Sequence, residues 1–437
     1  MTKEVRNVIV GFGKTGLSVA NHCIRHDMPF AVTDDALAPA RLAEFERQHA
    51  VEFAPIRDFS FTPNDRLIVS PGVPLTHSDL QKAQRLGASL TNDVQMFSHL
   101  CKAPFALITG SNGKSTVTHF IGQLLNSAGK QAGVGGNIGT PVLDLLDQGN
   151  DVFVIEASSY QLELANHCAA DVAVLLNLSP DHLDRYPSQD AYFAAKANVF
   201  VGCKTAVINR ETDFKIEFED TVNVISFGSD APVSDTDYGI IEQDGCRYLA
   251  RGARIILDVS VLPVPGRHNW MNVLAAMATV EALGVPLGEG IQSLTGLPHR
   301  CELVPGVDQM LAVNDSKSTN PASTATAIES FAEQDQVMVL LLGGLGKGAD
   351  FAVLQPLLEA HVGICYVYGQ DRDLIAAQIG VPVISQLTLD DCINHMANEQ
   401  RHADVLLFSP GCASLDQFAN FEARGDHFKS LVQERFA

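Results

Sequence analysis

Short apolar runs recur along this chain, each closing in glycine, serine, asparagine or aspartate, and stretches with apolar residues three and four apart lie between them. That alternation predicts βα units and parallel sheets. Three blocks emerge. The first opens NVIV, turns through GFGKTG, continues as a helix from Leu17 to Arg25 and reaches FAVTDD; a later strand, RLIVS, runs into the turn SPGVP. The second has strands in APFALITG, DVFVIEASS, DVAVLLNLSPDHLD and TAVIN. From about Val222 to Pro265 its pattern shortens into β-rich pieces with turns such as EQDGCRY, a hairpin insertion or small flanking sheet, before helical spacing returns at NWMNVLAAMATVEALG. The third follows LPHR and reads LAVNDSKS, QVMVLLLGG, ICYVYG, PVIS and DVLLFSPG as strands. The expectation is a three-domain α/β protein: Rossmann-like at 1–92, P-loop ATPase-like at 93–298 and Rossmann-like at 299–437.

Composition narrows the function classes. The 437 residues carry a formal charge of −21, so nucleic acid is disfavoured as a partner, although a lysine or a helix start still binds a small phosphorylated ligand locally. Nine scattered cysteines, none in a C-x-x-C pair, read as reduced thiols. The opening MTKEVRNVIVGFG enters a strand at once, and no apolar run reaches spanning length. The expectation is a cytoplasmic protein without membrane insertion.

Candidate chemistry gathers at strand ends. ALITGSNGKSTVTHF lacks the first glycine of G-x-x-x-x-G-K-[ST], since Ile108 stands there, but keeps Gly110, Gly113, Lys114 and Ser115. A strand from Ala106 to Thr109 feeds this loop and a helix starts near Ser115. Loop N–H groups could surround phosphate oxygens, Lys114 could neutralise them and Ser115 could complete a Mg²⁺ shell. An ordinary capped helix is the alternative. Glu156, at the tip of IEASSYQLE, is placed to hold a metal, while Ser158 and Ser159 before Gln and Glu also fit a capping box. His182 stands between Asp181 and Asp184 after a third strand, and Lys196 interrupts an apolar helix, where it either snorkels outward or needs a negative partner or a change of charge. GFGKTG fits G-x-G-x-x-G through Gly11, Gly13 and Gly16, with Asp34 or Asp35 at ribose distance. NAD is one reading, but the second nucleotide loop begins near 109, and a half-fold binding one nucleotide suits the length better.

Together TGSNGKST, EASSYQLE, DHLDRY, AAK, GRHN, PHR, NDSKSTN, GGLGKGADF and SPGCASLDQFANFEARG closely resemble the Mur ligase family over essentially the whole chain. The resemblance implies a cell-wall enzyme of peptidoglycan synthesis, and through it of cell shape and division. Its activity would be ATP-dependent amide ligation through an acyl phosphate, joining D-glutamate to UDP-N-acetylmuramoyl-L-alanine, in a monomer using Mg²⁺ at two sites. It implies that the shortened loop works. Residues Gly110, Ser111, Asn112, Gly113, Lys114, Ser115, Thr116 and Val117, with Asn269, Arg300 and Asp315, would bind ATP. Ser115, Glu156, His182 and a carbamylated Lys196 would serve metals, and Lys114, Glu156, His182 and Lys196 catalysis. Gly13, Lys14, Thr15, Gly16, Asp34, Asp35, Ser70, Asn137 and Ser158 would hold the UDP substrate, and Lys317, Thr319, Lys347, Ser414, Leu415 and Phe421 D-glutamate.

Two stretches depart from relatives. Leu345 and Gly346 stand where some carry an Asp, and Asp35–Ala36 replaces a Thr and Arg known beside uracil. Rival readings are another Mur-type ligase, a folate-type polyglutamate ligase, disfavoured by the GFGKTG block, and a non-catalytic nucleotide switch. The diaminopimelate or lysine adder is disfavoured because no D-N-P-R-like segment occurs.

Overall fold

The computed structural model describes residues 5–35, 45, 49, 51–165, 167–179, 185–264, 266–307, 310–332, 336–400 and 403–436. These form two compact units, one of Met1–Val259 with Asn272–Ile291, the other of Ser260–Met271 with Gln292–Ala437.

The first unit holds two of the three sheets found among the described residues. Its first sheet has strands β1 (Arg6–Val10), β2 (Phe30–Thr33), β3 (Glu52–Ala54), β4 (Asp65–Val69) and β5 (Ser89–Thr91), in the order β3-β2-β1-β4-β5, all parallel. Successive residues of β1 enter different cores: Val8 and Val10 pack on one face, Ile9 on the other. Both faces are therefore covered, as parallel sheets require. The helix after β1 spans Lys14–Arg25, beginning three residues before the expected Leu17, because Gly13 takes the N-cap and Lys14 already has helical geometry.

The second sheet contains β6 (Phe105–Thr109), β7 (Ala132–Gly136), β8 (Val152–Glu156), β9 (Val172–Leu175), β10 (Thr205–Asn209), β11 (Asn223–Phe227), β12 (Tyr238–Gln243), β13 (Cys246–Arg251) and β14 (Arg254–Asp258), ordered β14-β13-β12-β11-β10-β9-β6-β8-β7. It is parallel from β7 to β12 and antiparallel through β12–β13–β14. The expected hairpin insertion is thus a meander on the sheet's edge, its first turn made by Asp244 and Gly245 with φ of 53° and 76°. β11 joins the parallel part. β7 went unread because AGVGG carries one branched residue among small ones. One apolar core runs from the first sheet's Ile9 and Val32 to Leu107 and Ile155 of the second, which binds the two into a single unit.

The second unit is built on β15 (Glu302–Leu303), β16 (Leu311–Asn314), β17 (Met338–Gly343), β18 (Val362–Tyr368), β19 (Val383–Ser385) and β20 (Val405–Phe408), ordered β15-β16-β20-β17-β18-β19, with only β15 antiparallel. Along β17, Leu340 and Leu342 enter one core and Val339 and Leu341 the other, the alternation of a doubly wound sheet.

Candidate active site

The strand order places β6 between β8 and β9, with Ile108 beside Glu156 and Thr109 beside Leu175. Three polar strand ends therefore meet along one edge. The loop Gly110–Gly113 follows β6, and the helix Lys114–Ser127 begins immediately after it, burying Ser115, Thr116 and Val117. Gly113 has φ of 80°, and a Cβ there would lie 2.8 Å from Asn272 Oδ1, so both conformation and space demand glycine. Asn177, beyond β9, braces the loop: its Oδ1 accepts from Asn112 N at 2.8 Å, its Nδ2 donates to Asn112 O at 3.1 Å, and its carbonyl accepts from Ser111 N at 3.0 Å. Ser111 Oγ donates to Ser179 O and meets the Tyr192 hydroxyl at 3.2 Å. The loop is thus braced from the neighbouring strand.

Two lysines converge on this loop. Lys114 Nζ donates to Gly110 O at 2.7 Å and to Ser111 O at 2.9 Å. Lys196, near the end of the helix Gln189–Ala197, is 2% exposed; its Nζ donates to the same Gly110 O at 2.8 Å and lies 4.8 Å from the Tyr192 ring centroid. It points inward, not along the surface. Two ammonium groups on one carbonyl oxygen is an arrangement that anionic charge would relieve.

Glu156 is 1% exposed. Its Oε1 accepts from Asn137 Nδ2 at 2.8 Å, whereas Oε2 is buried without a hydrogen-bond partner. A buried carboxylate oxygen left open is costly unless a cation faces it, so the donor set of Ser115 and Glu156 fits a divalent, oxygen-preferring ion. Ser158 caps the short helix Ser159–Leu162, with Gln161 completing a capping box. The expected capping box is present, and it coexists with Glu156 at the strand tip. His182, with Asp181 and Asp184, lies outside the described residues; among those described, no cluster of three or more metal-binding side chains occurs.

The Gly11–Gly16 loop is folded for close approach: a Cβ on Gly16 would fall 2.1 Å from Gly11 O. Asp34 Oδ2 accepts from Phe12 N at 2.6 Å and Ser70 Oγ donates to Gly11 O at 2.8 Å, so both expected residues brace this turn. Asp35 Oδ1 accepts from Ile56 N at 2.8 Å, and its other oxygen lies 3.5 Å from His77 Nε2. Gly13 and Lys14 are exposed and Thr15 half-buried; Lys14 Nζ reaches Gly139 O beyond β7.

In the second unit, Asp315 follows β16 and is buried. Its Oδ1 accepts from Cys301 N at 3.2 Å and its Oδ2 from Ser409 Oγ at 2.8 Å. Burial pushes its carboxyl up to about 6, against the lowering effect of those donors and of Arg300. Arg300 is half-buried between His299 and Cys301, whose φ values of 61° and 48° mark a left-handed, strained backbone. Lys317 Nζ sits 4.9 Å from the Phe421 ring centroid, Ser414 is buried, Thr319 and Leu415 are exposed, and exposed Lys347 has φ of 52°. Asn269 is buried beside Gly266, its N–H donating to the Gly266 carbonyl. Gly346 N donates to Asp371 Oδ2 at 2.7 Å.

Sequence reasoning gave Arg424 no role, yet it is fully buried and joins the segments around Asp315 and Ser414. Its Nε donates to Ser316 Oγ at 3.0 Å, Nη2 to Ser316 O at 2.7 Å and Nη1 to Cys412 O at 3.0 Å. Its signal was an arginine on the apolar stripe of the last helix, between Phe421 and Phe428.

Three family descriptions match in series: Mur ligase MurD-like, N-terminal domain over 5–92, Mur ligase middle domain over 108–280, and Mur ligase, glutamate ligase domain over 299–412. The chain is 39% identical to UDP-N-acetylmuramoylalanine–D-glutamate ligase of Legionella pneumophila (strain Paris) over 98% of each chain. It is also 39% identical to the Pseudomonas aeruginosa PAO1 protein of the same name, over 98% of this chain and 97% of that one. Among solved structures, the fold matches MurF ligase from Thermotoga maritima in complex with ADP (TM-score 0.64, 17% identity, 99% of this chain and 97% of that one). MurC from Thermotoga maritima matches at TM-score 0.57 and 18% identity over 98% of this chain and 99% of that one.

Proposed function

This chain belongs to the Mur ligase family, an ATP-dependent acid–D-amino-acid ligase that adds D-glutamate to UDP-N-acetylmuramoyl-L-alanine in peptidoglycan synthesis, and we propose how its own residues carry that reaction. The observation supporting the assignment of roles is the convergence of Lys114, Lys196 and the loop carbonyl of Gly110 on the sheet edge that also bears Glu156.

The loop N–H groups and the start of the helix Lys114–Ser127 bind the ATP phosphates, and Lys114 leaves its two loop carbonyls to neutralise them. Ser115 and Glu156 would hold Mg²⁺, which when bound would supply Lewis-acid polarisation of the phosphoryl oxygens. Lys196 would be carbamylated, its neutral amine adding to CO₂ with loss of a proton, and the resulting anion would serve a second Mg²⁺ together with His182. That exchange would remove the second ammonium group from Gly110 O.

The substrate carboxylate attacks the γ-phosphorus and displaces ADP, giving an acyl phosphate; the D-glutamate amine then attacks the acyl carbon, phosphate leaves and a proton is released. The residues at Gly11–Gly16, Asp34, Asp35 and Ser70 hold the UDP end, and Asn137 and Ser158 the muramoyl-alanine end. Asn269, Arg300 and Asp315 bind nucleotide, and Lys317, Thr319, Lys347, Ser414, Leu415 and Phe421 bind D-glutamate, whose two carboxylates call for cationic and N–H donors. Catalysis on this scheme is orientation and charge compensation. No helix among the described residues is long and apolar enough to cross a membrane. We place the enzyme in the cytoplasm as a monomer.

A coupled ADP assay with UDP-N-acetylmuramoyl-L-alanine and a panel of D- and L-amino acids tests the proposal. Turnover is expected with D-glutamate only; ADP formation in the absence of both co-substrates would return the chain to a nucleotide switch.

A further inference from the structure

A buried polar chain outside the reacting groups ends at a substrate-binding side chain. The helix Asp93–Leu100 leads from the first sheet into the second, and both residues at its start reach across to the turn that follows Glu156. Asn92 Nδ2 donates to Gln161 O at 2.5 Å. Gln161 Nε2 donates to both Asp93 oxygens, each at 3.3 Å. At its other end, Gln161 Oε1 accepts from Ser158 N and from Ser158 Oγ, both at 3.1 Å, while Gln161 N donates to Ser158 Oγ at 3.2 Å. Asp93 is 3% and Gln161 2% exposed.

These contacts have a defined polarity. An ionised carboxylate only accepts and a backbone N–H only donates, so the Gln161 amide fits one way round. With Oε1 toward Ser158, the serine proton is committed to Gln161, and one of its lone pairs is taken by Gln161 N. A lone pair remains for substrate. Were the amide reversed, Nε2 would donate to Ser158 Oγ and the serine proton would turn outward.

We infer that Asp93 is a positioning residue for the ligase reaction: by locking the Gln161 amide it presents the Ser158 hydroxyl to the UDP-linked substrate as a hydrogen-bond acceptor, matched to an amide N–H and not to a carboxylate. This rests on the reading that places Ser158 at the muramoyl-alanine end.

Exchanging the two side chains' chemistry tests it. Gln161→Glu sets two carboxylates against each other in a buried site, so one takes a proton and the acceptor pattern at Ser158 is disturbed. It is expected to raise KM for UDP-N-acetylmuramoyl-L-alanine about tenfold, with KM for ATP within twofold. Asp93→Asn alone costs about threefold on the same constant, because its amide still offers one acceptor. In the double variant the amide introduced at position 93 donates to the carboxylate introduced at position 161, which in turn accepts from Ser158, so KM returns to within about threefold of wild type. Asp93→Asn therefore harms the wild type and repairs Gln161→Glu.

A double variant no better than Gln161→Glu, or KM for ATP rising in step with KM for the nucleotide sugar, overturns the inference. If Gln161→Glu does not fold, Ser158→Ala with and without Asp93→Asn decides: non-additive increases support the chain and fully additive ones break it. Wild-type turnover of the nucleotide sugar with D-glutamate tests the underlying reading separately, since its absence would refute that reading whatever the variants do.

Discussion

Glu156 and Asp315 are both buried carboxylates at the carboxyl ends of parallel strands, one in each compact unit, and the protein treats them differently. Asp315 has both oxygens engaged, by Cys301 N and Ser409 Oγ. Glu156 has one oxygen on Asn137 and the other open. Strand-end placement alone does not distinguish them; hydrogen-bond completeness does. An open buried oxygen suits a cation, whereas a completed carboxylate is a fixed acceptor.

The largest expected effect breaks that contrast at its open end. Glu156→Gln keeps size and can keep the Asn137 contact, but it removes the negative charge at the open oxygen, where the proposal puts Mg²⁺. Turnover should fall by about 10³-fold, in line with losing a principal electrostatic stabiliser. Thermal melting should show the cause, with Mg²⁺ and an ATP analogue raising the wild-type Tm much more than the variant's. An equal rise in both proteins would mean that the open oxygen is not the metal's.

Next comes Lys196→Ala, expected to cost about 10²-fold, with Lys196→Arg no better because arginine restores a cation where an anion is required. Added short-chain carboxylic acids should partly restore the alanine variant. Normal turnover by the arginine variant would show that the buried ammonium itself is sufficient.

Much of this was readable in advance. Strand–helix alternation gives the three sheets, the polar strand tips lead to Lys114 and Glu156, and the family resemblance points to Asp315. What the sequence hid are groups whose roles come from distant partners. Asn177 looks like any strand-end asparagine until its amide is seen holding Asn112, and Lys196 could equally have snorkelled until its ammonium is found on Gly110 O. Arg424 is the sharpest case, because an arginine in an apolar helix stripe suggests a local ion pair, yet its partners are carbonyls and a hydroxyl more than a hundred positions away or at Cys412.

Arg424 also shows what keeps the completed end complete. Arg424→Lys offers one ammonium in place of a fork spanning Ser316 and Cys412, leaving buried carbonyls short of donors. The loss should be about 2 kcal/mol of stability, with a roughly tenfold rise in KM for D-glutamate and a smaller change in KM for the nucleotide sugar. An unchanged D-glutamate KM would separate the staple from the amino-acid site.

The smallest effect concerns Asp315 itself. Burial raises its folded pKa from 3.8 to about 6, so the folded state binds the proton more tightly than the unfolded chain. Such a group's favourable contribution is complete below the unfolded value and is lost as pH rises through the folded one. Asp315→Asn carries no such titration and is accommodated by hydrogen bonding: its oxygen can take Cys301 N–H, and Ser409 can turn its hydroxyl to accept from the amide. Between pH 5 and 7.5 the wild type should therefore lose about 1 kcal/mol more stability than the variant, read from the difference in their melting temperatures. A gap that stays flat would mean that the Cys301 and Ser409 donors offset the whole cost of burying the charge. The contrast with Glu156 would then lie in geometry alone and not in energy.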